Sequence, residues 1–146
     1  MVRRLRPGVV LAPSLVDNQH PDHPRLGRLV RDAARLARYG GLASLRALPA
    51  HAIGPLFYYA VSQEAEPAGV IPVLIDVSDP KVVRAWTAAM KAHASQLRTR
   101  DYVELQLARA RAQGLRAGVR YAQALFPNDP LVFGSLAPLA RAARRF

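Results

Sequence analysis

Asp17-Asn18-Gln19-His20-Pro21-Asp22-His23 puts two imidazoles and two carboxylates into seven residues. Neutral imidazole is the commonest protein ligand of zinc, and a neighbouring carboxylate can fix its tautomer and raise its basicity. His20 and His23 are three apart across a helix entry, a spacing that lets both face one pocket. The chain has no cysteine, so any metal here must be held by His, Asp or Glu. The same donor types also serve non-haem iron. A solvated loop whose aspartates start the next helix accounts for these residues equally well. Residue types alone leave both readings open.

The elements around the loop place it at a strand end. Val9-Val10-Leu11-Ala12 is a continuous apolar run bounded by Pro13, the pattern of a strand buried on both faces. Pro24 suits a first helical turn. Leu26, Leu29, Val30, Ala33 and Ala37 then recur at helical spacing, with arginines opposite and Gly40-Gly41 as the stop. Arg3–Arg6 reads as the end of a helix closed by Pro7-Gly8. Further strands are predicted at Leu56–Val61 and Val70–Val77, with Pro72 favouring a strand start or an edge. Asp79-Pro80 opens a helix expected to run to about Leu97. Asp101 and Glu104 form a capping-box pattern for a helix to about Gln113. A short strand is predicted within Gly118–Phe126, and a last short helix or a frayed tail within Leu136–Arg145. Strands alternating with helices predict one α/β domain over residues 1–146 with a largely parallel sheet. The loaded loop then lies at the C-terminal end of a strand, where open α/β sheets place ligands.

Composition narrows the classes further. The 146 residues suffice for one domain, and the apolar and charged fractions are those of an ordinary globular protein. No apolar run approaches the roughly 18 residues of a membrane helix, and Val9–Ala12 is too short for a signal-peptide core. A cytoplasmic chain without membrane association is the expectation. The net charge of +11 points toward anionic partners. Arginine outnumbers lysine 19 to 2, however, and is dispersed at helical spacing without interleaved aromatics. That argues against a nucleic-acid binder.

Several blocks in order carry a resemblance. Arg4-Leu5-Arg6-Pro7-Gly8-Val9-Val10-Leu11-Ala12-Pro13, followed by His20-Pro21-Asp22-His23, resembles the P-x-x-V-x-x-P … H-P-D-H segment of LmbE/PIG-L-type zinc-dependent N-deacetylases. Phe57-Tyr58-Tyr59, Ala92-His93-Ala94-Ser95-Gln96-Leu97, Asp101-Tyr102-Val103-Glu104 and Gly118-Val119-Arg120-Tyr121-Ala122 resemble later blocks of that family. The likeness runs from about Arg3 to Pro130 and is strongest to the branch that deacetylates N-acetylglucosaminyl-malate in bacillithiol synthesis. It implies part of a Rossmann-like three-layer α/β/α fold, the N-terminal portion of the family fold being absent. It also implies zinc as cofactor and an amino-sugar conjugate as substrate. By the same resemblance His23 is a zinc ligand and His20 sits beside the scissile amide, with Asp22 orienting its ring. Tyr102 hydrogen-bonds the oxyanion.

The departures from the family pattern are as informative. The A-H-P-D-D-E motif, which supplies two zinc ligands and the general base, does not occur. The arginine expected before the aromatic strand aligns with Ala52, and His51 beside it is the candidate substitute for contacting substrate. Gln123 stands where an acid is usual, and Asn18-Gln19 replaces a charged pair. A truncated frame or a split half needing a complementing N-terminal segment is therefore expected, inactive alone and weak in zinc binding. A non-catalytic remnant pairing through its sheet edge with a complete deacetylase is the rival, and homo-oligomerisation stays open. His93, aligned with Trp86 and Met90, is expected to pack in a core. Tyr58 and Tyr59 must point to opposite faces of their strand.

Overall fold

The computed structural model describes residues 1–18, 20–98 and 101–139. The chain divides into two compact units. The first comprises Met1–Val73 and Leu125–Val132, the second Leu74–Ala124 and Phe133–Phe146.

The first unit is built on a strand–helix–strand crossover. Strand β1 (Val10–Pro13) leads through the polar loop to helix α2 (Asp22–Ala37), and the chain returns in β2 (Leu56–Tyr59), parallel to β1. The register sets Val10 against Leu56 and Ala12 against Tyr58. Ala12, Leu56 and Tyr58 are buried. The face of α2 turned inward carries Pro24, Gly27, Ala34 and Ala37, all small or compact, so helix and strand approach closely. Gly27 sets that distance, because a Cβ there would overlap the Pro13 carbonyl oxygen.

A short helix α1 (Val2–Leu5) precedes β1 and ends in Arg6, which takes a left-handed conformation at φ 46°. Its Arg3 is only 5% exposed. The guanidinium gathers carbonyls from the C-terminal end of α2 and from the following loop: Nε donates to Ala37 at 3.1 Å, and Nη1 to Leu45 at 2.7 Å and Leu48 at 2.9 Å. Nη2 donates to Tyr39. The last carbonyls of a helix have no partner inside it, and a cation there also meets the negative end of the helix dipole. Arg3 thus closes α2 from a distance.

Strand β4 (Ala122–Pro127) buries Ala122, Ala124 and Phe126 in strict alternation and pairs antiparallel to β2 through Phe57↔Pro127 and Tyr58↔Phe126. The four strands follow the order β1-β2-β4-β3, with β3 at Val73–Asp76. The sheet is therefore mixed, which corrects the expectation of a largely parallel one. The position of β1 is a second correction. Its apolar run reads as a strand buried on both faces, yet it lies at the sheet edge with Leu11 55% exposed.

In the second unit, helix α3 (Pro80–Ala92) starts as its sequence requires, Asp79 accepting from the Lys81 amide at 2.7 Å and Pro80 filling the first position. It ends before Leu97, because His93 leaves helical geometry at φ −90°, ψ 64° and a 3-10 turn follows over Ala94–Leu97. His93 is exposed and does not pack in the core. Helix α4 (Tyr102–Ala117) is capped by Asp101, whose Oδ1 accepts from the Glu104 amide at 2.9 Å. It runs past Gln113 to Gly118, which terminates it in the left-handed region at φ 66°. At the chain end a 3-10 turn spans Ala137–Leu139, and the rest of the predicted tail helix lies outside the described residues. Among the described residues no helix is long and apolar enough to cross a membrane.

Candidate functional site

The polar loop leaves β1 through Ser14, which is buried and ties the strand end to β2 by donating its amide to the Tyr59 carbonyl at 2.9 Å. Ser14 Oγ accepts from the Val16 amide at 3.2 Å, turning the chain away from the sheet. Arg28, nearly two turns into α2, reaches back to the Leu15 carbonyl at 3.4 Å and to Asp17 Oδ2 at 3.5 Å. Asn18 Oδ1 accepts from the His20 amide at 3.0 Å, a local Asx turn that aims His20 at the helix start. Gln19 lies outside the described residues.

Helix α2 begins at Asp22, earlier than Pro24 alone suggests, with Pro21 in the cap position and no side-chain cap. Asp22 therefore does not cap the helix. It sits in the first turn, where a carboxylate is favoured by the positive end of the helix dipole. His20 Nδ1 and Asp22 Oδ2 are 3.6 Å apart, an electrostatic contact slightly too long for a hydrogen bond, and both side chains are largely exposed. The rings of His20 and His23 meet edge to face, centroids 5.7 Å apart and planes at 63°. His23 is half-buried beside the fully buried Pro24. His20, Asp22 and His23 thus share one spot beyond the C-terminal end of β1.

His51 is not brought there. Its amide donates to the Ala37 carbonyl at 2.9 Å and its Nε2 lies 2.9 Å from the Pro7 carbonyl oxygen. Ala37 and His23 stand at opposite ends of α2, and at 1.5 Å rise per residue they are about 20 Å apart. His51 fastens the segment before β1 to the end of α2, at the other end of that helix from His23. Tyr102 occupies the first position of α4 in the second unit, half-buried. That unit also has a shallow groove along α4 lined by Asp101, Glu104, Leu107, Arg111, Arg120 and Tyr121. The Arg120 guanidinium covers the Tyr121 ring at 5.2 Å.

The fit to a metal ion is partial. Imidazole and carboxylate are suitable donors, but among the described residues no group of three or more His, Asp or Glu could hold an ion. Catalytic zinc normally takes three protein ligands. His23 fits as one of them and cannot supply the set.

Sequence reasoning passed over a second polar cluster, at Tyr58. Tyr58 is buried, Tyr59 half-buried on the opposite face, as strand alternation requires. The Tyr58 hydroxyl donates to Asn128 Oδ1 at 2.7 Å, and Asn128 Nδ2 donates to Asp129 at 2.8 Å. Burial raises the Tyr58 pKa above its ordinary value, Arg31 on α2 opposes that rise, and Asp129 and Asp32 add to it. Seventy residues separate Tyr58 from Asn128 in sequence. No local pattern could pair them.

The chain matches no family model. Among solved structures it is similar to the conserved protein TT1542 from Thermus thermophilus, at 31% identity and a TM-score of 0.76, over 97% of this chain and 59% of that one. It is similar to GalB, the 4-carboxy-2-hydroxymuconate hydratase from Pseudomonas putida, at 24% identity and a TM-score of 0.65, over 93% of this chain and 58% of that one. It is also similar to the N,N'-diacetylchitobiose deacetylase of Pyrococcus horikoshii, at 18% identity and a TM-score of 0.68, over 86% of this chain and 47% of that one. The last two likenesses are of fold alone. The chain spans less than two thirds of the length of each of these proteins, and it shares an α/β fold with them.

Proposed function

We propose that the chain belongs to a zinc-dependent N-deacetylase of the LmbE/PIG-L type, cytoplasmic, acting on an N-acetylglucosamine conjugate such as N-acetylglucosaminyl-malate. The observation that carries this reading is the grouping of His20, Asp22 and His23 at the N-terminus of α2, beyond the C-terminal end of β1. The likeness of fold to a diacetylchitobiose deacetylase supports it.

Zinc, when bound, would supply an acidified water and polarise the amide carbonyl. His23 would be one ligand. The remaining ligands and the carboxylate base would come from polypeptide outside the described residues. Asp22 lies beside His20 Nδ1, so a proton held at Nδ1 is directed toward the carboxylate and Nε2 is left to face the substrate. In hydrolysis a water oxygen would bond to the carbonyl carbon and give its proton to the carboxylate base, the carbon–nitrogen bond would break, and His20 in its doubly protonated form would deliver its Nε2 proton to the departing amine while acetate forms. Tyr102 would donate to the oxyanion, a contribution typically worth about 3 kcal/mol of barrier. His51 serves as a structural clamp.

Purified from its own cells with any polypeptide that accompanies it, the protein is expected to release acetate from N-acetylglucosaminyl-malate in the presence of zinc. The recombinant 146-residue chain alone is expected to release none. His23→Ala introduced on the chromosome should lower the rate at least 100-fold. Undiminished release by that variant would overturn the reading, as would hydrolysis that persists after complete removal of zinc.

A further inference from the structure

The stretch that follows α4 is folded back onto it. Gly118 turns the chain in the left-handed region, and the Val119 amide donates to the Gly114 carbonyl at 3.0 Å. The Arg120 carbonyl lies so near Gly114 that a Cβ there would overlap it, so the glycine lets this stretch rest against the helix. The main chain of Tyr121 is then fixed: its amide donates to Ser78 Oγ at 2.9 Å, and its carbonyl accepts from the Val77 amide at 3.1 Å. The result is a groove with α4 as one wall and Arg120-Tyr121 as the other.

The charges in this groove are segregated. Glu104, Leu107, Ala108 and Arg111 follow helical spacing and form one stripe along α4. Asp101 and Glu104 stand at one end of it and Arg111 at the other. At 1.5 Å rise per residue Glu104 and Arg111 are about 10 Å apart. Leu107 and Ala108 fill the positions three and four residues from each, where a helix would otherwise hold the opposite charge. Arg111 Nη1 donates to the Arg120 carbonyl at 3.1 Å, and the Arg120 guanidinium covers the Tyr121 ring at 5.2 Å. Both guanidiniums are thus held by fixed partners. Among the described residues no ion pair neutralises Glu104, Arg111 or Arg120.

A polyanion would meet two carboxylates along this groove, and a simple cation would meet two guanidiniums. A ligand with one anionic and one cationic end matches both. Guanidinium forks suit a carboxylate, and the carboxylates suit an ammonium group. Three extended residues at roughly 3.5 Å each span the same distance as the two charged ends. We propose that the α4 groove binds a short peptide with free termini, its carboxylate at Arg111 and Arg120 and its amine at Asp101 and Glu104. Leu107 and Ala108 take the middle side chain. The inference uses no metal and none of the residues of the proposed deacetylase chemistry.

The test adds the tripeptide alanyl-leucyl-alanine to the 146-residue chain and follows the amide resonances of Leu107 and Tyr121. Saturable shifts are expected, with a dissociation constant below about 5 mM. Blocking the peptide as its C-terminal amide, or as its N-acetyl form, should each weaken binding about fivefold or more. Arg111→Gln should remove the preference for carboxylate over amide and keep that for amine over acetyl, and Glu104→Gln should do the reverse. Glu104→Gln leaves the helix cap in place, because Asp101 accepts from the backbone amide of residue 104. The blocked peptides test the charge pairing on the unaltered chain, whether or not a variant folds. Unshifted amides, equal binding of free and blocked peptides, or tighter binding of inorganic phosphate at the same residues would each overturn the inference.

Discussion

Arg3 Nε donates to the Ala37 carbonyl across 34 residues of sequence, so a side chain of the first helix finishes the second. Arg3→Met removes the hydrogen-bonding fork and leaves several carbonyls without their donor. A loss of about 3 kcal/mol is expected, read from urea unfolding. Arg3→Lys should recover only part of it, because an ammonium cannot reproduce the planar fork. A change below about 0.5 kcal/mol in Arg3→Met would show that the cluster contributes little.

Gly27→Ala tests which of two opposing effects wins in α2. Alanine favours a helix over glycine by about 1 kcal/mol. Here its Cβ would meet the Pro13 carbonyl, which is backbone and cannot swing aside. Overpacking should dominate, with a net loss of about 2 kcal/mol and a displaced loop between β1 and α2. A stabilised variant would mean that helix and strand separate freely.

Tyr58 sets an alkaline limit. Its pKa is raised in the fold, first by burial, so the folded chain holds the phenol proton more tightly than the unfolded chain. The resulting stability is complete below the unfolded value near 10 and is lost as pH rises toward the folded value. Thermal unfolding followed upward from about pH 10 should show a falling melting temperature. Tyr58→Phe should flatten that slope while losing the hydrogen bond to Asn128. An equal slope in both proteins would place the titrating group elsewhere.

His51 separates support from substrate contact. His51→Ala should cost about 1 kcal/mol through the lost bond to Pro7. In an active preparation from its own cells the KM should stay unchanged. A raised KM with unaltered stability would return His51 to the substrate site.

Where residues act on their immediate neighbours, the sequence is informative. Asp79-Pro80 and Asp101 with Glu104 each fix a helix start through bonds within a few residues, and each does so in the structure. Gly114 shows the limit. It follows the predicted helix end near Gln113, yet it lies inside the helix where a Cβ would come within 2.6 Å of the Arg120 carbonyl oxygen. Close approach and termination use the same residue type. The direction of β4 and the edge position of β1 depend on pairings made far along the chain, and the roles of Arg3 and Tyr58 likewise rest on partners 34 to 70 residues away. The grouping of His20, Asp22 and His23 was legible because it is local.

If His23 is one ligand of an ion whose other ligands lie outside this chain, the isolated chain must bind that ion feebly and through this ring. Zinc titration of the 146-residue protein, followed through the ring nitrogens of its four histidines, addresses this directly. The His23 ring is expected to respond, weakly, with a dissociation constant above about 10 µM, and His23→Ala should abolish the response. One zinc per chain surviving dialysis, or a His23 ring that stays unmoved while zinc binds elsewhere, would show that the ligand assignment is wrong.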